Sequence, residues 1–233
     1  MENKALIFDY GATLDTNGIH WYYIFKQEHL RYNNFLSDEQ LRDAYIYAEQ
    51  TLSKKRLIQS SDNFLETLLI KVKLQYERLY DQGVILQTMF HINEVAENCY
   101  HIAKQNILRV KPLLQRLAEK YRLAIVSNFY GNLESVLRDY DIRQDFESVI
   151  ESAVIGVSKP DKKLLLTCLE RMNIKAENST IVGDSYKKDI VPAKQLGAST
   201  IWIKGQSWKD NPTFTPLADV IITDIMELEN ILL

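Results

Sequence analysis

The chain has 233 residues, 46% of them hydrophobic and 25% charged, with a net charge of −3. That balance excludes a disordered chain, and 8 glycines with 5 prolines exclude collagen-like or low-complexity sequence. The mildly acidic total gives no reason to expect a nucleic acid or an anionic membrane as partner. Cys99 and Cys168 form no metal-ligand spacing and no disulfide framework, which points to a reducing compartment. No apolar run approaches the ~18 residues of a membrane span, so a soluble cytoplasmic protein is expected. Nothing in the sequence fixes an oligomeric state.

The first apolar run, Ala5–Phe8, stops at Asp9. From about Gly18 to Leu108 no strand run appears. Helical patterns cover Ile19–Phe35, Asp38–Ser53, Asn63–Tyr80 and Ile85–Ile107, and Ser37 with Gln40 forms a capping box for the second. The aromatic set Trp21, Tyr22, Tyr23 and Phe25 reads as the packed face of the first. Thr16 to Leu108 carries 10 Lys/Arg and 11 Asp/Glu, so this insert is no basic arm. Pro112 opens a predicted helix bearing Leu113, Leu114 and Leu117, with proline in its first turn.

Leu123–Val126 is the next run and stops at Ser127. Asp161–Met172 repeats apolar residues at helical spacing. Ile181–Val182 stops at Gly183-Asp184. Lys187–Leu196 is a shorter helix that Pro192 should delay or kink. Thr200–Ile203 and Val220–Ile222 are two further runs, Gly205–Pro216 with Trp208 reads as a surface loop, and Asp224 with Glu227 caps a last helix. Short continuous apolar runs suit strands buried on both faces, and their alternation with helices predicts an α/β fold. The expectation is a three-layer, Rossmann-like sandwich with a mainly parallel sheet, residues 1–16 and 109–233, and an inserted all-α domain, residues 17–108.

Ligands of open α/β sheets bind beyond the carboxyl ends of the strands. The residues there are Asp9, Ser127 and Asp184, and Lys159 lies in the loop Gly156–Asp161. This set suits phosphoryl transfer. A carboxylate can attack phosphorus, clustered acids can hold Mg²⁺, and Lys and Ser can bind phosphoryl oxygens as charge develops.

Four segments in order resemble the motifs of the haloacid dehalogenase-like (HAD) hydrolases. They are Ile7-Phe8-Asp9-Tyr10-Gly11-Ala12-Thr13-Leu14-Asp15, Val126-Ser127-Asn128, Ser158-Lys159-Pro160-Asp161, and Val182-Gly183-Asp184-Ser185-Tyr186-Lys187-Lys188-Asp189. The resemblance spans nearly the whole chain, and the helical insert is similar to the family's type I cap. It implies a Mg²⁺-dependent phosphatase or phosphotransferase acting on a small phosphorylated metabolite through an aspartyl-phosphate on Asp9. Asp9, the Gly11 backbone carbonyl, Asp184 and Asp189 would be the metal ligands. Ser127 and Lys159 would hold the phosphoryl group, Thr13 would steady the loop beside it, and Asn128 with the backbone after it, opening a helix, would add amide donors.

One family residue is missing. Phosphatases of the family carry a second Asp two positions after the nucleophile, which protonates the leaving oxygen, and here that position is Gly11. Such help is worth ~10²–10⁴ in rate, so poor leaving groups should suffer most. Asp15, His20 or a cap residue is a candidate stand-in. The alternatives are attack at a carbon–halogen or carbon–phosphorus bond, with Lys54 and Lys55 as the insert lysines the latter would need, or a catalytically weak phosphate-binding regulatory protein. The Asp184/Asp189 pair argues against metal-free dehalogenation.

Overall fold

The computed structural model describes residues 4–208 and 217–233. Its centre is a six-stranded sheet: β1 (Ala5–Phe8), β2 (Arg122–Ser127), β3 (Ser148–Glu151), β4 (Ser179–Gly183), β5 (Ser199–Ile203) and β6 (Val220–Ile222). The strand order is β3-β2-β1-β4-β5-β6 and every pairing is parallel. Alternate residues of β1 face opposite layers, as strand geometry requires. Ala5 and Ile7 join Ala124, Val126, Leu164, Leu165 and Leu169 on one side, while Leu6 and Phe8 join Leu123, Ile125, Leu113 and Leu117 on the other. Both faces are therefore covered, which is why these strands read as unbroken apolar runs. The expected three-layer α/β sandwich is present.

The sequence reading missed β3. Its apolar run is only Val149–Ile150, flanked by serine and glutamate, too short to stand out before its partner β2 is known.

Between β1 and β2 lie α1 (Trp21–Tyr32), α2 (Asp38–Lys54), α3 (Phe64–Asp81) and most of α4 (Ile92–Ala118). The Ser37–Gln40 capping box forms as expected, and Asn63 with Glu66 forms another at the start of α3. Trp21, Tyr22 and Phe25 are buried in the insert.

The largest departure is α4. Ile85 does not start a helix; only a short turn at Gln87–Met89 precedes α4. Nor does Pro112 start one. Pro112 lies inside a single 27-residue helix that runs from the insert into the sandwich. Proline leaves the carbonyl four residues back without a helical partner. That residue, Leu108, is 58% exposed, so water can take the place of the lost donor. The apolar stripe continues across the proline through Ile107, Val110, Leu113 and Leu117.

After β2 come α5 (Leu133–Asp139), α6 (Ser152–Ile155), α7 (Lys162–Arg171), α8 (Val191–Gln195) and α9 (Leu228–Leu232). The segment expected as one helix over Lys187–Leu196 divides into a π-helical turn, Tyr186–Ile190, and α8, with Pro192 in the first turn of α8. The Asp224–Glu227 box forms, but on a 3₁₀ turn at Ile225–Glu227 that leads into α9 rather than on α9 itself. Residues 209–216 of the predicted loop Gly205–Pro216 lie outside the described residues. Among the described residues no helix is long and apolar enough to cross a membrane.

Candidate active site

The parallel register lines up the strand ends. Phe8 stands opposite Ile125 on β2 and Val182 on β4, so the residues that follow emerge at one edge of the sheet. The Asp9 amide completes the ladder by donating to the Val182 carbonyl at 2.9 Å. Asp9 then meets three donors on one oxygen. Its Oδ1 accepts from the Tyr10 amide at 2.8 Å and from Ser127 Oγ at 2.7 Å, and lies 2.9 Å from Lys159 Nζ. Oδ2 takes none of these bonds, so the carboxylate is fixed in orientation with one oxygen outside the set.

Lys159 is buried and ties the site together. Its ammonium also donates to Asp189 Oδ1 at 2.6 Å and to the Val126 carbonyl at 3.0 Å. Burial works against its charge, yet Asp189 and Asp9 override that effect and hold it well above the usual lysine range. Asp189 arrives on the π-helical turn, where its Oδ2 accepts from the Ser185 amide at 3.0 Å. Gly183 is required there, because a Cβ would fall 2.5 Å from Asp189 Oδ2. Burial pushes the Asp189 carboxyl up to about 6, against the lowering effect of Lys159.

Thr13 and Asp184 pair across the sheet end. Thr13 Oγ1 donates to Asp184 Oδ1 at 3.1 Å and accepts from the Asp184 amide at 3.0 Å. Burial, then the charges of Asp9 and Asp189, hold the Asp184 carboxyl well above the ordinary carboxylate range. Asp9, Asp184 and Asp189 each offer a carboxylate oxygen, all within 4.8 Å of one another. Lys159 neutralises only one of the three charges. An all-oxygen set with two negative charges left over fits a hard divalent cation.

Other expected residues sit differently. The Asn128 side chain bonds to Lys159. It clamps the Lys159 backbone, accepting from the amide at 2.8 Å and donating to the carbonyl at 3.1 Å. It opens no helix either, since α5 begins at Leu133. Two of the amides after it are already engaged, Phe129 by Ser152 Oγ and Gly131 by Glu151 Oε2. The structure thus makes Asn128 a support for Lys159. Glu151, at the end of the unforeseen β3, positions the loop after Ser127 and was not legible without that strand.

Asp15 is fully buried and already engaged on both oxygens. Oδ1 accepts from the Ala12 amide at 2.7 Å and from Thr16 Oγ1 at 3.3 Å, and Oδ2 accepts from Trp21 Nε1 at 2.8 Å. Burial pushes its carboxyl up to about 7 despite these donors. It ties the loop after Asp9 to α1. His20 caps α1, accepting from the Tyr22 amide on Nδ1, and its ring packs on Tyr45 and Trp208. Lys54 and Lys55 are exposed at the end of α2. At Gly11 a Cβ would meet nothing within 4 Å, so that position has room for a longer side chain.

The sequence matches the haloacid dehalogenase-like hydrolase family over residues 7–203. Among curated proteins it is 33% identical over 141 residues to the glyceraldehyde 3-phosphate phosphatase of Pyrococcus furiosus, covering 57% of this chain and 58% of that one. The chain thus spans little more than half of that relative's length. Among solved structures, YfnB of Bacillus subtilis, described as an HAD-hydrolase bound to magnesium, superposes with a TM-score of 0.60 at 19% identity, covering 100% of this chain and 99% of that chain. A 2-haloacid dehalogenase of Pseudomonas syringae gives 0.54 at 18% identity, covering 98% and 97%. At such identities these structures speak for the fold alone. With four motifs gathered at one sheet edge and a family match across most of its length, the chain belongs to the haloacid dehalogenase-like hydrolases.

Proposed function

We propose that the protein is a Mg²⁺-dependent phosphohydrolase or phosphotransferase for a small phosphorylated metabolite, working through an aspartyl-phosphate on Asp9. The observation that carries this is the Asp9 carboxylate itself, oriented by three donors on Oδ1, with Oδ2 outside that set and two further carboxylates beside it. Asp9, Asp184 and Asp189 would hold the cation, with the Gly11 carbonyl as a further ligand. The bound ion would supply positive charge where the anionic nucleophile and the anionic substrate meet.

The chain's own groups then have defined tasks. Asp9 attacks phosphorus, an Asp9–phosphorus bond forms, and the bond to the leaving oxygen breaks. Ser127 and Lys159, which converge on Asp9, are the donors for the phosphoryl oxygens as charge shifts onto them. Asn128 holds the Lys159 backbone, and Thr13 holds Asp184. Water then hydrolyses the acyl phosphate and restores Asp9. No side chain at Gly11 protonates the leaving oxygen, so leaving groups that depart as stable anions, such as acetate or nitrophenolate, are favoured. The helical insert, residues 17–108, would act as the cap that encloses the substrate, which suits a small molecule better than a protein. Its boundary at 108/109 falls within α4. The relatives named as phosphatases support the same chemistry.

The test is phosphate release from acetyl phosphate and p-nitrophenyl phosphate, with and without Mg²⁺, in wild type and Asp9→Asn. Release that needs both Mg²⁺ and Asp9 supports the proposal. The empty position at Gly11 favours a second reading, a phosphate-ligand binder with little turnover. Tight Mg²⁺-dependent binding without release from any substrate would put that reading first. The carboxylate cluster speaks against metal-free dehalogenation, and the exposed positions of Lys54 and Lys55 against a phosphonate-cleaving lysine.

A further inference from the structure

One strongly cationic group lies between the insert and the sandwich and has no part in the chemistry above. Lys71, on α3, keeps only 7% of its side-chain surface accessible. Its Nζ lies 2.7 Å from Glu49 Oε1 and donates to the Tyr130 hydroxyl at 2.8 Å. The Tyr130 hydroxyl in turn donates to Glu49 Oε2 at 2.8 Å. The rings of Phe25, Tyr45 and Tyr130 stand around the ammonium at 5.4, 6.0 and 5.0 Å.

The surroundings of this niche point toward the reacting end. Phe64, Thr67 and Lys71 follow one another at helical spacing on one face of α3. Phe64 packs edge-on against Tyr10, the residue after Asp9, and stacks with Phe129. Thr67 Oγ1 accepts from Asn132 Nδ2 at 2.7 Å, and Lys71 reaches Tyr130. That face of α3 therefore follows the loop that begins at Ser127. Tyr45 packs against His20, which follows the nucleophile loop.

We propose that Lys71 is a specificity residue whose ammonium receives a carboxylate carried by the phosphorylated substrate, in exchange for Glu49. It rests on the phosphohydrolase reading of the Asp9 site and names its substrate class, a phosphorylated hydroxy acid. A buried ammonium does not tolerate losing its contacting counter-charge, which for Lys71 is Glu49. Burial works against the Lys71 charge, and the Glu49 carboxylate overrides it. Whatever displaces Glu49 must therefore be an anion. Glu49 is the partner nearer to water: its Oε1 is buried against Lys71, but its side chain as a whole keeps 31% of its surface accessible, whereas Lys71 is walled in by rings. Exchange of one carboxylate for another leaves the charge of the niche unchanged. A phosphorylated substrate with no carboxylate offers no such exchange and leaves the Lys71–Glu49 pair closed.

The test uses titration calorimetry in Mg²⁺ with 3-phosphoglycerate and glycerol 3-phosphate, which share a skeleton and differ at the carboxylate. Wild type is expected to bind the acid roughly tenfold tighter or better, the scale of one charge-assisted contact. Lys71→Met brings the ratio to about one while leaving glycerol 3-phosphate nearly unchanged. Glu49→Gln, which keeps the lysine and removes its competitor, widens the ratio and decides the matter if Lys71→Met fails to fold. A wild-type ratio near one overturns the proposal. So does equal weakening of both ligands in the variants, which would mark a structural clasp, or failure of either ligand to bind. Phosphate release from acetyl phosphate, run beside the titrations, reads the hydrolase function separately from this recognition.

Discussion

On the proposed reading, the two halves of the reaction around Asp9 are furnished very differently. On the phosphate side, Ser127, Lys159, Thr13, Asp184 and Asp189 interlock through bonds of 2.6 to 3.1 Å that cross between four segments of chain. On the leaving-group side, two residues further along, Gly11 offers backbone alone, with empty space where a Cβ would stand. The first half follows from the sheet: once β1, β2 and β4 pair in register, their end residues must meet. The second half depends on a single side chain that the register does not dictate. On that reading, binding and activation of a phosphoryl group would not require a side chain at position 11.

That contrast can be broken from either end. The largest effect is expected from Asp9→Asn, which removes the nucleophile and should reduce Mg²⁺-dependent phosphate release to background in a steady-state assay. Next comes Gly11→Asp, which the local space admits. It should raise kcat on an alkyl phosphate by about 10²–10⁴ and change acetyl phosphate turnover much less, because only the alkoxide needs a proton. Third, Asp15→Asn turns an amide N–H₂ toward Trp21 Nε1–H or toward the Ala12 N–H, a donor against a donor. Chemical denaturation should register a loss of about 1–3 kcal/mol.

The last effect is a pH slope. Burial raises the Asp15 carboxyl from its unfolded value near 3.8 to about 7, so the folded chain binds this proton more readily than the unfolded one. Its contribution to stability is greatest below the unfolded value and is lost as pH rises through about 7. Wild type minus Asp15→Asn should show that decline between pH 4 and 8. A difference that stays flat would mean the carboxylate is fully compensated by its three donors.

The sheet and the phosphate side were legible because they rest on local signals. Ala5–Phe8 and Leu123–Val126 are unbroken apolar runs since both faces are buried, and each ends on a polar residue with a task. Lys159 was marked by its place before Pro160. What local pattern does not encode is pairing at long range. Val149–Ile150 becomes a strand only beside β2. Pro112 looks like a helix start, and only the solvent exposure of Leu108 shows why the helix can pass through it. The sequence does not show that the Asn128 side chain bonds the backbone of Lys159, 31 residues away. The contact of Lys71 with Tyr130 spans 59 residues and joins the insert to the loop after Ser127. Asp15 read as a spare acid because the sequence does not show that Trp21, six residues on, turns its indole N–H back to it.

The most direct measurement is kcat/KM for acetyl phosphate and glycerol 3-phosphate, in wild type and in Gly11→Asp, with Mg²⁺ present and withheld. A site that activates phosphorus without its own proton donor should strongly prefer acetyl phosphate in wild type, need Mg²⁺ for both substrates, and lose about 10²-fold or more of that preference in Gly11→Asp. Comparable wild-type rates on both substrates would mean that another group already supplies the proton, and turnover unaffected by Mg²⁺ would contradict the role given to Asp9, Asp184 and Asp189.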